Sequence, residues 1–356
     1  MGRHVGAVTA EWAAERGMAC RFFSLNDPPG LHRIVLARTE FVFTGYERGK
    51  AAFAWNALRA AGRRGERKGL VFAAHVNLAP VAALVKARRR GMRMMVMTHG
   101  VEVWKPLSEL RRWALGQADL VLAPSRDTAE QVATKQGISK EKVRQMAWGL
   151  DPILEAREAG GEGNHLPKGF PEGRVVLTVG QWRESERYKG VDTLIEALPQ
   201  LIEKAPDAWL VAVGGGDDRG RLEELARKSG VGERVRFLDG LTQEELRSCY
   251  ARCEVFALPS KGEGFGLVFL EAMAAGKPVV GGAHGGTPDV VEDEVTGMLV
   301  PHGDVERLGG ALERLLGDAE LRVAMGRRGR ERVEQIYRFE HFSTRLAEIL
   351  GSLCAS

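Results

Sequence analysis

Residues Glu263–Glu271 read "EGFGLVFLE", and the fold of the whole chain follows from how this stretch is parsed. The apolar run 254–260, "EVFALPS", precedes it, and the helical pattern "LVFLEAMAAG" follows, giving a strand, a loop and a helix in that order. Gly264 and Gly266 let the backbone come close to a ligand, and the start of the helix aims unbonded N–H groups at it. Such a helix end takes an anion, phosphate above all. Glu263 belongs to the loop, while Glu271 sits one turn into the helix. Acids beside a phosphate site are poor phosphate ligands, so they read as acceptors for neighbouring hydroxyl groups. A phosphate with hydroxyls on both sides is the outline of a sugar nucleotide.

Outward from this stretch, strands and helices alternate. Strands are expected at 20–25, 40–43, 69–74, 93–98 and 119–123, then at 174–180, 208–214, 234–238, 254–258 and 277–281, with helices such as 192–204 and 243–252 between them. Short apolar strands separated by helices predict parallel sheets covered on both faces. The segment 155–173, "EAREAGGEGNHLPKGFPEG", is rich in Gly, Pro and charge and reads as a boundary. The expected plan is α/β: residues 1–155 and 174–337 as two doubly wound domains facing a cleft, 156–173 as linker, and 338–356 as a closing helix. Ligands of such sheets bind beyond the carboxyl ends of the strands. Four loops there carry glycine: "VGQWRESERYKG" (179–190), "VGGGDD" (213–218, opening at Gly214), "LPSKGEGFG" (258–266) and "GGAHGGTPD" (281–289). One such loop says little, but four on one sheet edge, two of them beside Arg/Lys or paired Glu, point to a phosphate ester.

The 356 residues suffice for two domains, and 44% hydrophobic with 28% charged residues describes a globular chain. Its apolar runs fall short of the roughly 20 residues of a membrane span, and no export signal opens it. A cytoplasmic location is expected, with the inner face of the membrane as the alternative. Cys20, Cys249, Cys253 and Cys354 are too scattered for a disulfide framework, and Cys249 and Cys253 read as buried thiols, not zinc ligands. Residues 1–150 hold 25 Lys+Arg against 12 Asp+Glu, a balance of +13, whereas the rest of the chain stands at −9, for +4 in all. Clusters at 63–68, "RRGERK", and 86–90, "KARRR", fit either solvated helix ends or a basic face for anionic lipid or an anionic acceptor. Nucleic acid is not expected, since the clusters lack interleaved aromatics.

On these residues the sequence resembles family 4 retaining glycosyltransferases of the GT-B fold. The stretch "EGFGLVFLEAMAAGKPVV" (263–280) is similar to the family's Glu-x7-Glu signature, supported by "ERYKG" (186–190), "THGVEVW" (98–104), "ADLVLAPSRDTAEQV" (118–132) and "GGTPDVVEDEVTGMLV" (285–300). "YRFEHFSTRLAEIL" (337–350) resembles the helix that returns to the first domain in this fold.

The resemblance implies roles. Glu271 would hold the ribose diol, one carboxylate accepting from two neighbouring hydroxyls. Glu263 would accept from hydroxyls of the donor sugar and help orient its anomeric carbon. Backbone groups of Phe265, Gly266 and Leu267 would meet the diphosphate, with Gly214 among the donor-binding positions and Lys189 neutralising the leaving phosphates. The family places an arginine directly after the strand-ending glycine, but Gln181 follows Gly180 here; Arg183, or less well Arg187, would substitute. His99 would contact the donor sugar and the reaction centre. His75 and Asn77, in "AAHVNLAP", are acceptor-side candidates.

No Asp-x-Asp triplet occurs, so no metal or other cofactor is expected. Lys189, an arginine and the helix end at Gly266 would instead stabilise the charge that builds on the bridging oxygen. The expected partners are a nucleotide-sugar donor and a glycan or lipid-linked acceptor. Retention comes from the resemblance alone, and no residue stands out as a covalent nucleophile, which favours front-face substitution. Family members open with a strand and a Gly-rich loop, whereas this chain begins in helical spacing with Val5, Val8 and Trp12 on one stripe. The expectation is that the first strand lies upstream of Met1 or that the chain is a fragment. A nucleotide-sugar-binding remnant without turnover, or a sugar-nucleotide epimerase of the same fold, are the alternatives.

Overall fold

A computed structural model describes residues 1–36, 39–61, 69–89, 91–152 and 165–355. The basic cluster 63–68, Arg90 and the first part of the expected linker lie outside the described residues. The chain forms two compact units, Met1–Pro152 with Phe339–Ser356, and Ile153–Arg338.

In the first unit β1 (Phe22–Ser24) pairs in parallel with β3 (Thr39–Gly45), and β2 (Gly30–Leu36) pairs with β3 antiparallel, from Gly30 opposite Gly45 to Leu36 opposite Thr39. A second sheet runs β4 (Gly69–Ala73), β5 (Met92–Met97), β6 (Leu120–Ala123) and β7 (Val143–Gln145), all parallel. Among the described residues β1 and β4 each pair on one side only. The expectation of wholly parallel sheets is therefore corrected at β2. Its residues Leu31 and Val35 lie exposed, so an apolar side chain at those places does not mark a buried face.

The opening helix Gly2–Ala14 buries Val5, Val8 and Trp12, the stripe its spacing predicts. Against it packs the last helix, Phe339–Ala355, which buries Phe339, Phe342, Leu346, Ile349 and Leu350. The rings of His4 and Phe339 lie 5.6 Å apart. Arg345 donates to the carbonyl of Ala147 at 3.2 Å.

The second unit holds one six-stranded parallel sheet in the order β10-β9-β8-β11-β12-β13. Its strands are β8 (Arg174–Val179), β9 (Ala208–Val213), β10 (Val235–Leu238), β11 (Val255–Leu258), β12 (Val279–Gly282) and β13 (Gly297–Val300). β11 and β12 are buried along their whole length, as strands covered on both faces must be. From β8 the chain winds outward through β9 to β10, then returns to β11 on the other side of β8. The sheet therefore reverses its winding between β8 and β11, where a doubly wound fold opens a crevice for a ligand. The helices Val191–Lys204 and Gln243–Arg252 match the expected 192–204 and 243–252. Cys249 and Cys253 are buried free thiols, pushed up to about 12 by burial.

Candidate donor-binding site

Four glycine loops leave the adjacent strands β9, β8, β11 and β12 at their carboxyl ends, and their backbones pack directly on one another. Gly214 has φ +129°, and a Cβ there would stand 1.8 Å from the carbonyl oxygen of Gly180. Gly190 has φ +76°, and its Cβ would lie 2.6 Å from the oxygen of Pro259. Only glycine fits either place, which is why these loops are rich in it. The amide of Lys261 donates to the carbonyl of Tyr188 at 2.7 Å, tying the turn Glu184–Lys189 to the loop after β11. The amide of Gly286 donates to the carbonyl of Glu263 at 2.6 Å, tying that loop to the one after β12.

These ties bring Lys189 and Glu263 together. The Lys189 ammonium lies 2.6 Å from Glu186 Oε2, in a side chain only 15% exposed. Glu263 is half-buried as a residue, but its Oε1 is inaccessible and has no hydrogen-bond partner among the described residues. Burial raises the Glu263 carboxyl to about 7; Glu186 adds to the rise, while Lys189 and Ser260 oppose it. A buried carboxyl oxygen without a partner is costly unless something fills the gap. Perturbed acids beside a cation are characteristic of functional sites.

Gly266 has φ +94° and caps the helix Leu267–Ala274; its carbonyl takes the Phe269 amide at 3.0 Å, and the helix start at Leu267 and Val268 is where amides lack an acceptor within the helix. The Phe265 ring is buried, edge-on to Tyr337 at 5.8 Å, so only its backbone can meet a ligand. One turn along, Glu271 Oε2 accepts from the Tyr250 hydroxyl at 2.7 Å. Tyr250 escaped the sequence reading, because nothing in a spacing of 21 residues announces this contact.

Of the two arginines weighed as substitutes at Gln181, Arg187 is committed elsewhere: it donates to Asp218 at 2.7–3.2 Å. Arg221 bonds the same carboxylate and Asp192 as well, and this pair of cations, Arg221 first, holds Asp218 down at about 2. Arg183 stands exposed just before the turn Glu184–Lys189, with its side chain bonded to none of the described residues.

In the first unit His75 and His99 follow adjacent strands β4 and β5, and their rings stack 5.1 Å apart. His99 also lies 4.7 Å from the Trp148 ring. The His99 Nε2 is 2.8 Å from the carbonyl of Ala74, which can only accept. Nε2 therefore carries the proton, and Nδ1 is left as an acceptor. The Nδ1 of His75 accepts from the amide of Asn77 at 3.0 Å. Burial lowers both imidazoles from their ordinary value, so both are neutral at pH 7. Asn77 is exposed.

Residues 1–153 match the family model described as Glycosyltransferase Family 4, and residues 167–332 match Glycosyl transferases group 1. The chain is 36% identical over 291 residues to a GDP-mannose-dependent alpha-(1-6)-phosphatidylinositol monomannoside mannosyltransferase of Mycobacterium tuberculosis, covering 76% of this chain and 73% of that protein. A monoacylated-substrate counterpart from Corynebacterium glutamicum, named GDP-mannose-dependent monoacylated alpha-(1-6)-phosphatidylinositol monomannoside mannosyltransferase, is 31% identical over 323 residues, 82% of this chain and 78% of that one. Among solved structures, a sucrose-phosphate synthase from Thermosynechococcus elongatus superposes with a TM-score of 0.76 at 25% identity, covering 99% of this chain and 92% of that one. A GT-B plan of two Rossmann-like domains, with glycosyl transfer from a nucleotide sugar as its chemistry, places the chain in glycosyltransferase family 4.

Proposed function

We propose that the enzyme moves a mannosyl unit from GDP-mannose to a hydroxyl of a phosphoinositide-type glycolipid, with retention and without a metal. The observation that carries this reading is the meeting of Lys189 and Glu263 beside the helix Leu267–Ala274, at the reversal of the second sheet. Lys189 and Arg183 would bind the diphosphate together with the amides at Phe265, Gly266 and Leu267, with Gly214 admitting the donor close to the backbone. Glu271 would hold the ribose diol, and Glu263 would accept from hydroxyls of the transferred sugar. The Nδ1 of His99 can take a hydroxyl proton into a hydrogen bond but cannot donate one while neutral, so His99 would orient the sugar and not protonate it. His75 and Asn77 are assigned to the acceptor side. GDP-mannose and the lipid acceptor rest on the names of the relatives.

In this reading the bond from the anomeric carbon to the phosphate oxygen breaks as the acceptor oxygen bonds to the same face of that carbon. The acceptor's proton passes to the departing phosphate, and GDP leaves. The charge that grows on the bridging oxygen falls on Lys189, Arg183 and the helix amides, a set of fixed donors of the kind that lowers such barriers. A thermal-shift panel of nucleoside diphosphates is expected to show GDP raising the melting temperature most, by mass action on the folded state. Transfer from GDP-mannose should persist in EDTA. Stabilisation by GDP without transfer to any acceptor would favour the remnant reading, and interconversion of free sugar nucleotides the epimerase.

Leu110 and Trp113, one turn apart on the helix Glu109–Gly116, are exposed beside the exposed Arg111 and Arg112. Apolar side chains rimmed by cations suit the surface of an anionic bilayer, where such an acceptor would reside, on the cytoplasmic side. Among the described residues no helix is long and apolar enough to cross a membrane. Sedimentation with vesicles of anionic phospholipid is expected at low salt and should fade as salt rises. A protein that stays in the supernatant at every ionic strength would rule out this contact.

A further inference from the structure

We propose that Tyr250 is a positioning residue for the donor: by holding one oxygen of Glu271, it presets that carboxylate to receive the two ribose hydroxyls. The proposal rests on the assignment of Glu271 to the ribose. The Tyr250 hydroxyl donates to Glu271 Oε2 at 2.7 Å, and the tyrosine itself is 2% exposed. Its helix, Gln243–Arg252, is fixed at its start by a reciprocal cap in which Thr242 and Glu245 each bond the other's backbone. The phenol ring packs against Phe256 at 5.8 Å, and Phe256 packs edge-on against Phe269 at 5.5 Å. Phe269 belongs to the same helix as Glu271. The helices that carry donor and acceptor are thus joined by a chain of ring contacts through Phe256 of β11, which fixes the two backbones relative to each other.

The chemistry of the contact sets what it can do. Burial first, and then the neighbouring Glu271, keep the phenol far from ionising, so it always donates. A donor that never lets go fixes the torsion of the carboxylate. A free glutamate would lose rotamer freedom on binding the diol, whereas this one has already lost it in folding. The gain should therefore appear in donor affinity and should depend on the ribose hydroxyls being present.

The test is Tyr250→Phe, which removes one oxygen and keeps the ring, with binding measured by calorimetry for GDP and for 2′,3′-dideoxy-GDP. The expected result is a roughly three- to tenfold weaker Kd for GDP, no change for the dideoxy nucleotide, and a KM for the donor that rises while kcat stays. In a Glu271→Ala background the same substitution should have no further effect on GDP. Tyr250→Met, a second way of deleting the hydroxyl, should reproduce the selective loss if the phenylalanine variant folds poorly. Equal weakening of both nucleotides, or an unchanged Kd for GDP, would overturn the proposal. Were the unsubstituted enzyme to bind GDP well but fail to distinguish it from its dideoxy analogue, the placement of Glu271 on the ribose would itself be wrong, and this inference with it. Absence of GDP binding altogether would instead count against the choice of GDP-mannose as donor, and would likewise remove the inference as stated.

Discussion

Replacing Lys189 with methionine is expected to lower kcat/KM for the donor by about 10²–10³-fold, with most of the loss in kcat. Lys189 is the cation at the reversal point of the second sheet, and its ammonium is held by Glu186 at 2.6 Å in a largely buried position. A fixed cation stabilises a phosphate that is already charged, but it stabilises more strongly the oxygen that gains charge as the glycosidic bond breaks. The methionine keeps an unbranched stem of similar length and removes only the charge, which lies beside the Gly180 turn where a Cβ would stand 3.4 Å from the Lys189 Nζ. Lys189→Arg should recover part of the rate, because the charge returns with a different shape. A kcat within threefold of the parent enzyme in the methionine variant would reduce Lys189 to a ground-state contact.

Glu263 gives the second large effect, and it shows in pH. Its carboxyl stands at about 7 in the folded chain, above the ordinary value of 4.5, because burial disfavours the charge. The folded state therefore holds this proton more tightly than the unfolded state between those values. Stability from this group is fully present below about pH 4.5 and is lost as pH rises toward and through 7, on the order of 3 kcal/mol in all. Glu263→Gln, which cannot titrate, should flatten that slope when urea midpoints are compared at pH 5 and pH 8. Activity should run the opposite way. Only the ionised carboxylate is a full acceptor for sugar hydroxyls, so kcat/KM should fall as pH drops through about 7, while Glu263→Gln is slower by about 10²–10³-fold and lacks that limb. An acid limb that persists unchanged in the glutamine variant would assign it to another group.

Much of the second unit was legible because its signals are local. The glycines at 190, 214 and 266 announce backbone that only glycine can adopt, and the helices around 192–204 and 243–252 announce themselves by apolar period. What stayed hidden depends on partners distant in sequence. In "ERYKG" the spacing gives two cations without saying that Arg187 belongs to Asp218 while Lys189 remains beside Glu263. Trp148 beside His99, and Tyr250 under Glu271, are contacts of the same kind. In the first unit β2 was missed because Leu31 and Val35 point apolar side chains to solvent, which breaks the alternation that marks a half-buried strand. The three-residue β7 is too short to show any period.

The one-sided pairing of β1 and β4 bears on how the molecule breathes. A strand bonded along a single edge can peel away by losing one row of bonds, whereas β8 or β11 must lose two. In deuterium oxide the amides of β1 and β4 should accordingly exchange orders of magnitude sooner than those of β8 and β11, which open only when the whole second sheet does. Uniform protection across both units would mean that pairing along a single edge gives β1 and β4 no easier route to opening.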